Sequence, residues 1–243
     1  MDQLLVALDV DTGERAMQLA AALRGVAGGF KVGNRLFTSE GPALVHKLVD
    51  AGARVFLDLK YHDIPNTVEQ AVEAAVLTGA WMINVHASGG RAMMEAAARA
   101  ARDTSAKLGR RSPLMIAVTV LTSMDQGALR TVGVERPVLD QVLALARMTQ
   151  QAGLQGVVAS AQETPAIRQA CGPDFQIVTP GIRGASAGTE RNDQSRTMGP
   201  ADAIRAGASY IVVGRPIIAA QDPRAAAEAI VEELSQAQGR GGS

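Results

Sequence analysis

The sequence contains little of several features that mark particular classes of protein. It has one cysteine, Cys171, among 243 residues, which excludes a disulfide framework and a metal site built from several thiolates. Aromatic residues make up 3% of the chain, too few for platforms that stack nucleic-acid bases. The 24 basic and 24 acidic side chains give no net charge, whereas non-specific nucleic-acid binding depends on an excess of Lys and Arg.

Long hydrophobic runs and targeting signals are also missing. Hydrophobic residues make up 47% of the chain, enough for a sizeable core, yet no apolar stretch approaches the about 20 residues that a membrane span needs. The apolar segment Leu4–Leu8 follows the first three residues directly, without the basic stretch of an export signal. These observations predict a cytoplasmic protein with neither a membrane nor a nucleic acid as partner.

Short apolar segments alternate with longer amphipathic, alanine-rich segments along the chain. Continuous runs of Val, Ile and Leu predict strands that are buried on both faces, as in parallel sheets. The predicted strands are Leu4–Asp9, Gly29–Val32, Val55–Lys60, Met82–His86, Leu114–Leu121, Gly156–Ala159, Gln176–Pro180 and Tyr210–Gly214. The predicted helices are Gly13–Leu23, Pro42–Ala51, Val68–Thr78, Arg91–Leu108, Val138–Ala152, Pro165–Ala170, Ala201–Ala206 and Arg224–Leu234.

Eight strand-and-helix units in 243 residues are typical of an α/β fold that closes into a single (β/α)8 TIM barrel. A doubly wound open sheet has the same alternation but rarely so many evenly spaced units. We expect the barrel to occupy residues 1–235 and a glycine-rich, flexible tail to occupy residues 236–243. In such barrels the active site lies at the carboxyl ends of the strands, so the polar residues at those ends are the candidates.

Charged residues close several of the predicted strands. Asp9 ends the first strand, Lys31 lies in the second, and the third ends in Asp58-Leu-Lys60. Because side chains two residues apart share one face of a strand, Asp58 and Lys60 should both point into the barrel mouth. A structural cluster of ion pairs is the alternative. Buried charges are costly unless they are paired, however, and groups of them are typical of functional sites.

Six segments of the chain resemble, in order and spacing, the signature of the orotidine 5'-monophosphate decarboxylase family. They are Leu8-Asp9, Lys31–Gly33, Asp58–Thr67 (DLKYHDIPNT), Val120–Ser123, Thr179–Arg183 and Val213–Pro216. Together they span nearly the whole chain. The Asp-x-Lys-x-x-Asp core alone would be less specific, because related barrels that act on sugar phosphates share it.

The resemblance implies removal of CO2 from orotidine monophosphate to give uridine monophosphate, the last step of de novo pyrimidine nucleotide synthesis, with no metal and no organic cofactor. It places Asp58 near the departing carboxylate, and Asp9 and Lys31 at the ribose hydroxyls. Two like charges about 4 Å apart repel by roughly 4 kcal/mol at an effective dielectric of about 20, whereas enzymes commonly lower barriers by about 8–23 kcal/mol. The Lys60 ammonium is suited to supply more, because it can stabilise the developing carbanion and then protonate it.

The same resemblance implies a homodimer with shared active sites. Asp63 follows the third strand in a loop that contains Pro65. In the family this aspartate, with the residues that match Ile64 and Thr67, reaches into the site of the partner subunit. The residues alone do not indicate this arrangement.

A phosphate site is expected near strands seven and eight, where these barrels commonly bind phosphate. Gly214 allows close approach of the backbone, and Arg215 offers a bidentate fork for phosphate oxygens. Arg183 and Gln194 belong to a segment, residues 181–198, that is rich in Gly, Ser and charged residues. This segment predicts a lid that closes over the phosphate, with an ordinary surface loop as the alternative.

Other polar residues near strand ends are weaker candidates. Thr122 matches a substrate-contacting position of the family, near the pyrimidine amide, and Ser123 is an equal candidate on its chemistry. His62 and His86 also lie near strand ends. Since neither histidine is paired in sequence with a nucleophile or a metal ligand, structural roles are predicted for both.

Two other functions compete with decarboxylation of the nucleotide. A sugar-phosphate decarboxylase or synthase of the same superfamily would use magnesium held partly by an acidic residue on strand two, but Lys31 occupies that strand and repels a cation. A catalytically silent nucleotide-binding barrel, acting as a sensor or scaffold, would be marked by loss of Asp58 or Lys60, and both are present.

Overall fold

The computed structural model describes residues 2–182 and 198–239. Its strands are β1 (Leu4–Ala7), β2 (Gly29–Gly33), β3 (Val55–Tyr61), β4 (Met82–His86), β5 (Leu114–Val118), β6 (Gly156–Val158), β7 (Gln176–Thr179) and β8 (Tyr210–Val213). They form one closed parallel barrel in which each strand pairs with its sequence neighbours and β1 pairs with β8. Closure confirms the predicted (β/α)8 barrel and excludes the open sheet.

Helices connect successive strands and form the outer layer. They are α1 (Gly13–Ala22), α2 (Asn34–Glu40), α3 (Pro42–Asp50), α4 (Pro65–Leu77), α5 (Arg91–Lys107), α6 (Gln126–Thr131), α7 (Val138–Gln151), α8 (Thr164–Cys171), α9 (Pro200–Arg205), α10 (Arg215–Ile218) and α11 (Pro223–Gly239), and one 3₁₀ turn covers Ala87–Gly89. Of these described helices, none is long and apolar enough to cross a membrane.

Three short helices are absent from the sequence prediction. Each of α2, α6 and α10 buries a single residue, respectively Leu36, Leu129 and Ile217. Amphipathic helices are recognised by apolar residues that recur every three or four positions. One buried residue gives no such pattern, so these helices leave no periodic signal in the sequence.

Several element ends also differ from the prediction. β1 ends at Ala7 rather than Asp9, and β5 ends at Val118 rather than Leu121. β6 is only three residues long and pairs with β5 no further than Val118, so Thr122 lies in the loop after β5 instead of ending the strand. At the carboxyl end, α11 continues to Gly239 through residues predicted as tail, because no glycine or proline interrupts residues 224–238.

The barrel interior is apolar except at the carboxyl ends of the strands. One buried cluster fills it, formed by Leu5, Ala7, Phe56, Met82, Ile116, Val178 and Val212. At the opposite, amino-terminal end, Trp81 and Tyr210 meet edge to face with their ring centroids 5.3 Å apart, and the Arg54 guanidinium lies 3.9 Å from the Trp81 ring centre. The aromatic pair packs against the buried cluster at that end, opposite the mouth.

Arg168, on α8, joins the loops that lead into β7 and β8. Its guanidinium donates to the backbone oxygens of Gly172, Pro173, Phe175 and Gly207 and to the Ser209 hydroxyl. Carbonyl groups in loops have no ladder partner and need another donor. One side chain therefore fixes the starting points of two neighbouring strands.

Candidate active site

Four charged side chains form an alternating charge network at the carboxyl ends of β1, β2 and β3. The Lys31 Nζ atom lies 3.1 Å from Asp9 Oδ1 and 3.4 Å from Asp58 Oδ2. The other Asp58 oxygen, Oδ1, lies 2.7 Å from the Lys60 Nζ atom. The structure thus brings together Asp9, Lys31, Asp58 and Lys60, each of which the sequence predicts as a site residue.

The charge network runs from the barrel interior to the solvent. Asp58 is buried, with 8% of its surface exposed, and the side chains of Lys31, Lys60 and Asp9 are 13%, 30% and 57% exposed. A buried carboxylate is costly unless it is paired and hydrogen-bonded, and here two ammonium groups contact it. The exposed Lys60 edge leaves the network open to a ligand from the mouth.

Strand β3 is irregular where it carries Lys60. Its pairing with β4 shifts register between Leu57 and Tyr61, and Lys60 is the one non-glycine residue with a positive φ, 54°, among the residues described. Bulges near active sites re-aim side chains. Asp58 and Lys60 are in contact, as expected for two side chains on one face of a strand. Lys60 nevertheless lies in the irregular part of β3 and not in a regular strand.

Asn84 connects this irregular segment to β4. Its Oδ1 atom accepts a hydrogen bond from the Lys60 backbone N–H at 2.8 Å, and its Nδ2 atom donates to Asp58 Oδ1 at 2.7 Å. The residue is completely buried. Sequence reasoning missed it, although an asparagine in the middle of the apolar run Met82–His86 is a signal that could have been used.

His62 and His86 lie beside the charge network and stack, with ring centroids 5.4 Å apart. Burial lowers the pKa of His86, the nearby His62 and Lys60 lower it further, and Asp58 opposes them. The two histidines are therefore part of the site's surroundings, a position that their spacing in the sequence did not indicate. Their contact with each other is consistent with the structural roles predicted for them.

The loop after β3 does not join the charge network. Asp63, Ile64 and Thr67 are exposed, Ile64 at 66%, and the Asp63 carboxylate accepts a hydrogen bond from the Ile64 backbone N–H at 2.6 Å. The structure therefore separates these three predicted site residues from the charge network of their own chain. Their side chains face outward.

Glycines keep space beside the charge network. A Cβ atom at Gly33 would lie 3.0 Å from the Lys31 Nζ atom, and one at Gly214 would lie 3.4 Å from the Ala7 Cβ atom and 3.6 Å from Asp9 Oδ2. Arg215, next in the chain, is exposed and begins α10. The predicted phosphate residues at the end of β8 therefore lie next to the carboxyl end of β1.

Other predicted residues lie nearby or outside the described part of the chain. Thr122 is half-buried in the loop between β5 and α6, followed by the exposed Ser123. Arg183 and Gln194 are outside the described residues. Ile182 and Met198, the described residues on either side of that gap, pair as an isolated parallel bridge. Among residues 2–182 and 198–239, no group of three or more His, Cys, Asp or Glu side chains is arranged so that it could hold a metal ion.

A closed parallel barrel with a charge network at the carboxyl ends of its strands defines a (β/α)8-barrel enzyme. Residues 2–230 match the family model described as Orotidine 5'-phosphate decarboxylase / HUMPS family. A relative from Moorella thermoacetica, named orotidine 5'-phosphate decarboxylase, is 55% identical over 234 residues, which cover 96% of this chain and 92% of the relative. The chain belongs to the orotidine 5'-phosphate decarboxylase / HUMPS family.

Two further comparisons agree with the family. A relative of the same name from Syntrophotalea carbinolica is 52% identical over 235 residues, covering 97% of this chain and 96% of the relative. The crystal structure of orotidine 5'-phosphate decarboxylase from Lactobacillus acidophilus has a TM-score of 0.84 and 38% identity, covering 95% of this chain and 98% of that one. The similarity therefore extends over the whole barrel in both sequence and structure.

Proposed function

We propose that this chain is a carboxy-lyase that converts orotidine 5'-monophosphate into uridine 5'-monophosphate and CO2, the last step of de novo pyrimidine nucleotide synthesis, using no metal and no organic cofactor. The observation that carries the proposal is the contact between the buried Asp58 carboxylate and the Lys31 and Lys60 ammonium groups at the barrel mouth. The family assignment supports the same reaction.

Asp58 acts on the group that leaves. With the substrate carboxylate bound next to it, two negative charges about 4 Å apart repel by roughly 4 kcal/mol at an effective dielectric of about 20. As CO2 leaves, the negative charge moves from the carboxylate to the ring carbon, away from Asp58, which relieves the repulsion. This contribution is smaller than the about 8–23 kcal/mol that enzymes commonly supply, so the transition state needs further stabilisation.

Lys60 supplies that stabilisation and the proton. As the bond between the ring carbon and the carboxylate breaks, its electron pair stays on the carbon, and the Lys60 ammonium attracts the developing negative charge. The ammonium then gives a proton to that carbon, which forms the C–H bond of the product. Lys60 is left as a neutral amine and regains a proton from solvent, which its partly exposed side chain can reach.

Binding of the rest of the nucleotide involves several strand ends. Asp9 and Lys31 hold the ribose hydroxyls, Thr122 contacts the pyrimidine, and Gly214 with Arg215 holds the phosphate. Arg183 and Gln194, outside the described residues, complete the phosphate contacts. Interactions with the remote phosphate provide binding energy that can be used at the reacting carbon.

The exposed loop after β3 completes the site of a second subunit in a homodimer. Asp63, Ile64 and Thr67 point away from their own charge network, and Ile64 presents an apolar side chain to solvent at 66% exposure. The core of a protein interface is depleted of charged residues and surrounded by a polar rim, an arrangement that an apolar side chain such as Ile64 beside polar groups fits. Asp63 of one subunit would then add a further negative charge to the alternating charge network in the active site of the other subunit.

The test is to add orotidine monophosphate to the purified chain and follow the ultraviolet absorbance change of its conversion to uridine monophosphate. We expect turnover in the presence of a strong chelator. Absence of turnover would overturn the proposal. Decarboxylation of a sugar phosphate that depends on added magnesium would instead support the competing function of the superfamily.

A further inference from the structure

Asn84 is a neutral side chain that forms hydrogen bonds to both Asp58 and Lys60. It is completely buried on β4, next to the segment of β3 in which the pairing register shifts. Buried amides are retained where both their donor and acceptor capacity is used. Both are used here, and both act on residues of the charge network.

The acceptor half of the amide acts on the backbone of Lys60. A non-glycine residue with φ of 54° pays a steric cost of about 1 kcal/mol or more, and such a conformation persists only where its surroundings hold it. The hydrogen bond from the Lys60 N–H to Asn84 Oδ1, 2.8 Å long, satisfies a backbone donor that the disturbed strand ladder leaves unpaired. Asn84 therefore stabilises the conformation that directs Lys60 toward Asp58.

The donor half acts on the carboxylate. Asn84 Nδ2 and Lys60 Nζ both lie 2.7 Å from Asp58 Oδ1, while Lys31 Nζ approaches Oδ2. An amide donor fixes the rotation of the carboxylate without adding charge. Each oxygen is thereby directed to a different lysine, which two flexible lysine side chains alone would not enforce.

We propose that Asn84 is a positioning residue for decarboxylation, holding the Asp58 carboxylate and the Lys60 backbone in the relative geometry that the reaction needs. This inference rests on the proposed function. It assigns Asn84 no contact with the substrate, so its effect should fall on the chemical step more than on binding.

The first experiment measures kcat and KM for orotidine monophosphate in the wild type and in Asn84→Ala. We expect kcat to fall by about 10- to 100-fold, the range that corresponds to loss of a hydrogen bond to a charged group. KM should change by less than about threefold, because Asn84 does not contact the substrate and its loss weakens stabilisation of the transition state more than binding of the substrate. Thr149→Val is the matched control, because Thr149 is also completely buried but bonds to Leu145 on helix α7. Its kcat should equal that of the wild type.

Asn84→Asp separates the two halves of the role. The introduced carboxylate still accepts from the Lys60 N–H but repels Asp58, whereas its protonated form can donate to Asp58 as the amide does. When two carboxyl groups lie next to each other, the repulsion between their charges raises the pKa at which the pair takes up a proton. We therefore expect the ratio of variant to wild-type kcat to rise as the pH falls, which a merely structural defect would not produce.

The structure of each variant provides a readout that needs no turnover. In a crystal structure of Asn84→Ala we expect Lys60 to leave its positive φ and the Lys60–Asp58 contact to lengthen beyond salt-bridge distance. The emission of Trp81, at the amino-terminal end of the barrel, checks that the fold persists. Asn84→Asp is nearly isosteric and serves if Asn84→Ala does not fold.

The outcomes distinguish the two proposals. If the wild type converts orotidine monophosphate but Asn84→Ala keeps kcat within about twofold, or the kcat ratio of Asn84→Asp does not depend on pH, the positioning role is overturned. If the wild type does not convert orotidine monophosphate but Lys60 is displaced in the Asn84→Ala structure, the proposed function fails and with it the role in decarboxylation, and only the structural part of the inference stands, namely that Asn84 holds the Lys60 backbone.

Discussion

The Nζ atom of Lys60 lies 2.7 Å from Oδ1 of Asp58, so the proposed proton donor is in direct contact with the carboxylate proposed to repel the leaving group. Removing the ammonium should remove both charge stabilisation and the proton. We expect Lys60→Ala to lose activity by at least about 10²- to 10⁴-fold, the usual contribution of a general acid, while it still binds uridine monophosphate in a calorimetric titration. Lys107→Ala, on the exposed end of α5, should be fully active. Substantial turnover by Lys60→Ala would show that another group donates the proton.

Shared sites can be tested by mixing two inactive variants. In a hybrid dimer of Lys60→Ala and Asp63→Ala, one site lacks both groups and the other has both intact. After complete subunit exchange in equal amounts, a two-fold symmetric dimer should recover about a quarter of the wild-type activity. The measurement is the initial rate before and after exchange. Exchange without recovery, verified by native mass spectrometry, would contradict the shared site.

Gly33 is expected to be sensitive to substitution because of its neighbour rather than its backbone. Its φ of −97° suits any residue, but an added Cβ would lie 3.0 Å from the Lys31 Nζ atom. Gly33→Ala should therefore fold normally and displace the ammonium, with a rise in KM of roughly tenfold from the misplaced binding group. Gly127→Ala, on α6, is the control. An unchanged KM would mean that Lys31 does not hold the nucleotide.

Arg168 should matter for stability more than for turnover. Arg168→Ala leaves four backbone oxygens without their Arg168 donor and removes one hydrogen bond from the Ser209 hydroxyl, and we expect the free energy of unfolding to fall by about 2–4 kcal/mol. Arg168→Lys should not restore it, since an ammonium lacks the planar fork that reaches several acceptors. Urea denaturation measures both, with the exposed Arg102→Ala as reference. Full rescue by lysine would argue against the role of the fork.

His86 makes stability depend on pH. Because burial, His62 and Lys60 lower the pKa of His86 from its usual 6.5, the unfolded chain takes up a proton before the folded chain does as the pH falls. This contribution to stability is present above about pH 6.5 and is lost as the pH falls toward the folded-state value. His86→Gln should flatten the fall in unfolding free energy below that pH, whereas His46→Gln, on the exposed face of α3, should not. Parallel pH dependences for the wild type and His86→Gln would contradict this origin.

The barrel and the centre of its charge network could be predicted from the sequence because both depend on short-range patterns. Buried parallel strands are continuous apolar runs, so a charge such as Asp9 or Lys31 at the end of a run is conspicuous. The alternation of side chains along a strand placed Asp58 and Lys60 together. Element ends were less predictable, as in β5, because they depend on how far the neighbouring strand extends.

Residues that act through three-dimensional contacts gave weaker signals. Asn84 acts on Asp58 and Lys60 from another strand, and Arg168 caps loops that are 4 to 41 positions away in sequence. The hydrogen-bond partners of Asn84 and Arg168 cannot be recognised from the sequence unless the neighbouring strands are already known. The stacking of His62 on His86 is of the same kind, since 24 positions separate the two rings and only pairing of β3 with β4 brings them together.

At position 60 the backbone conformation favours one amino acid and the proposed chemistry requires another. Glycine adopts a positive φ at no steric cost, so the backbone conformation considered alone would favour glycine at position 60. Selection for thermal stability, or design onto this backbone without regard to chemistry, would therefore tend to discard the proposed proton donor. A library screened for heat resistance should be screened for turnover at the same time, because at this position the two criteria favour different amino acids.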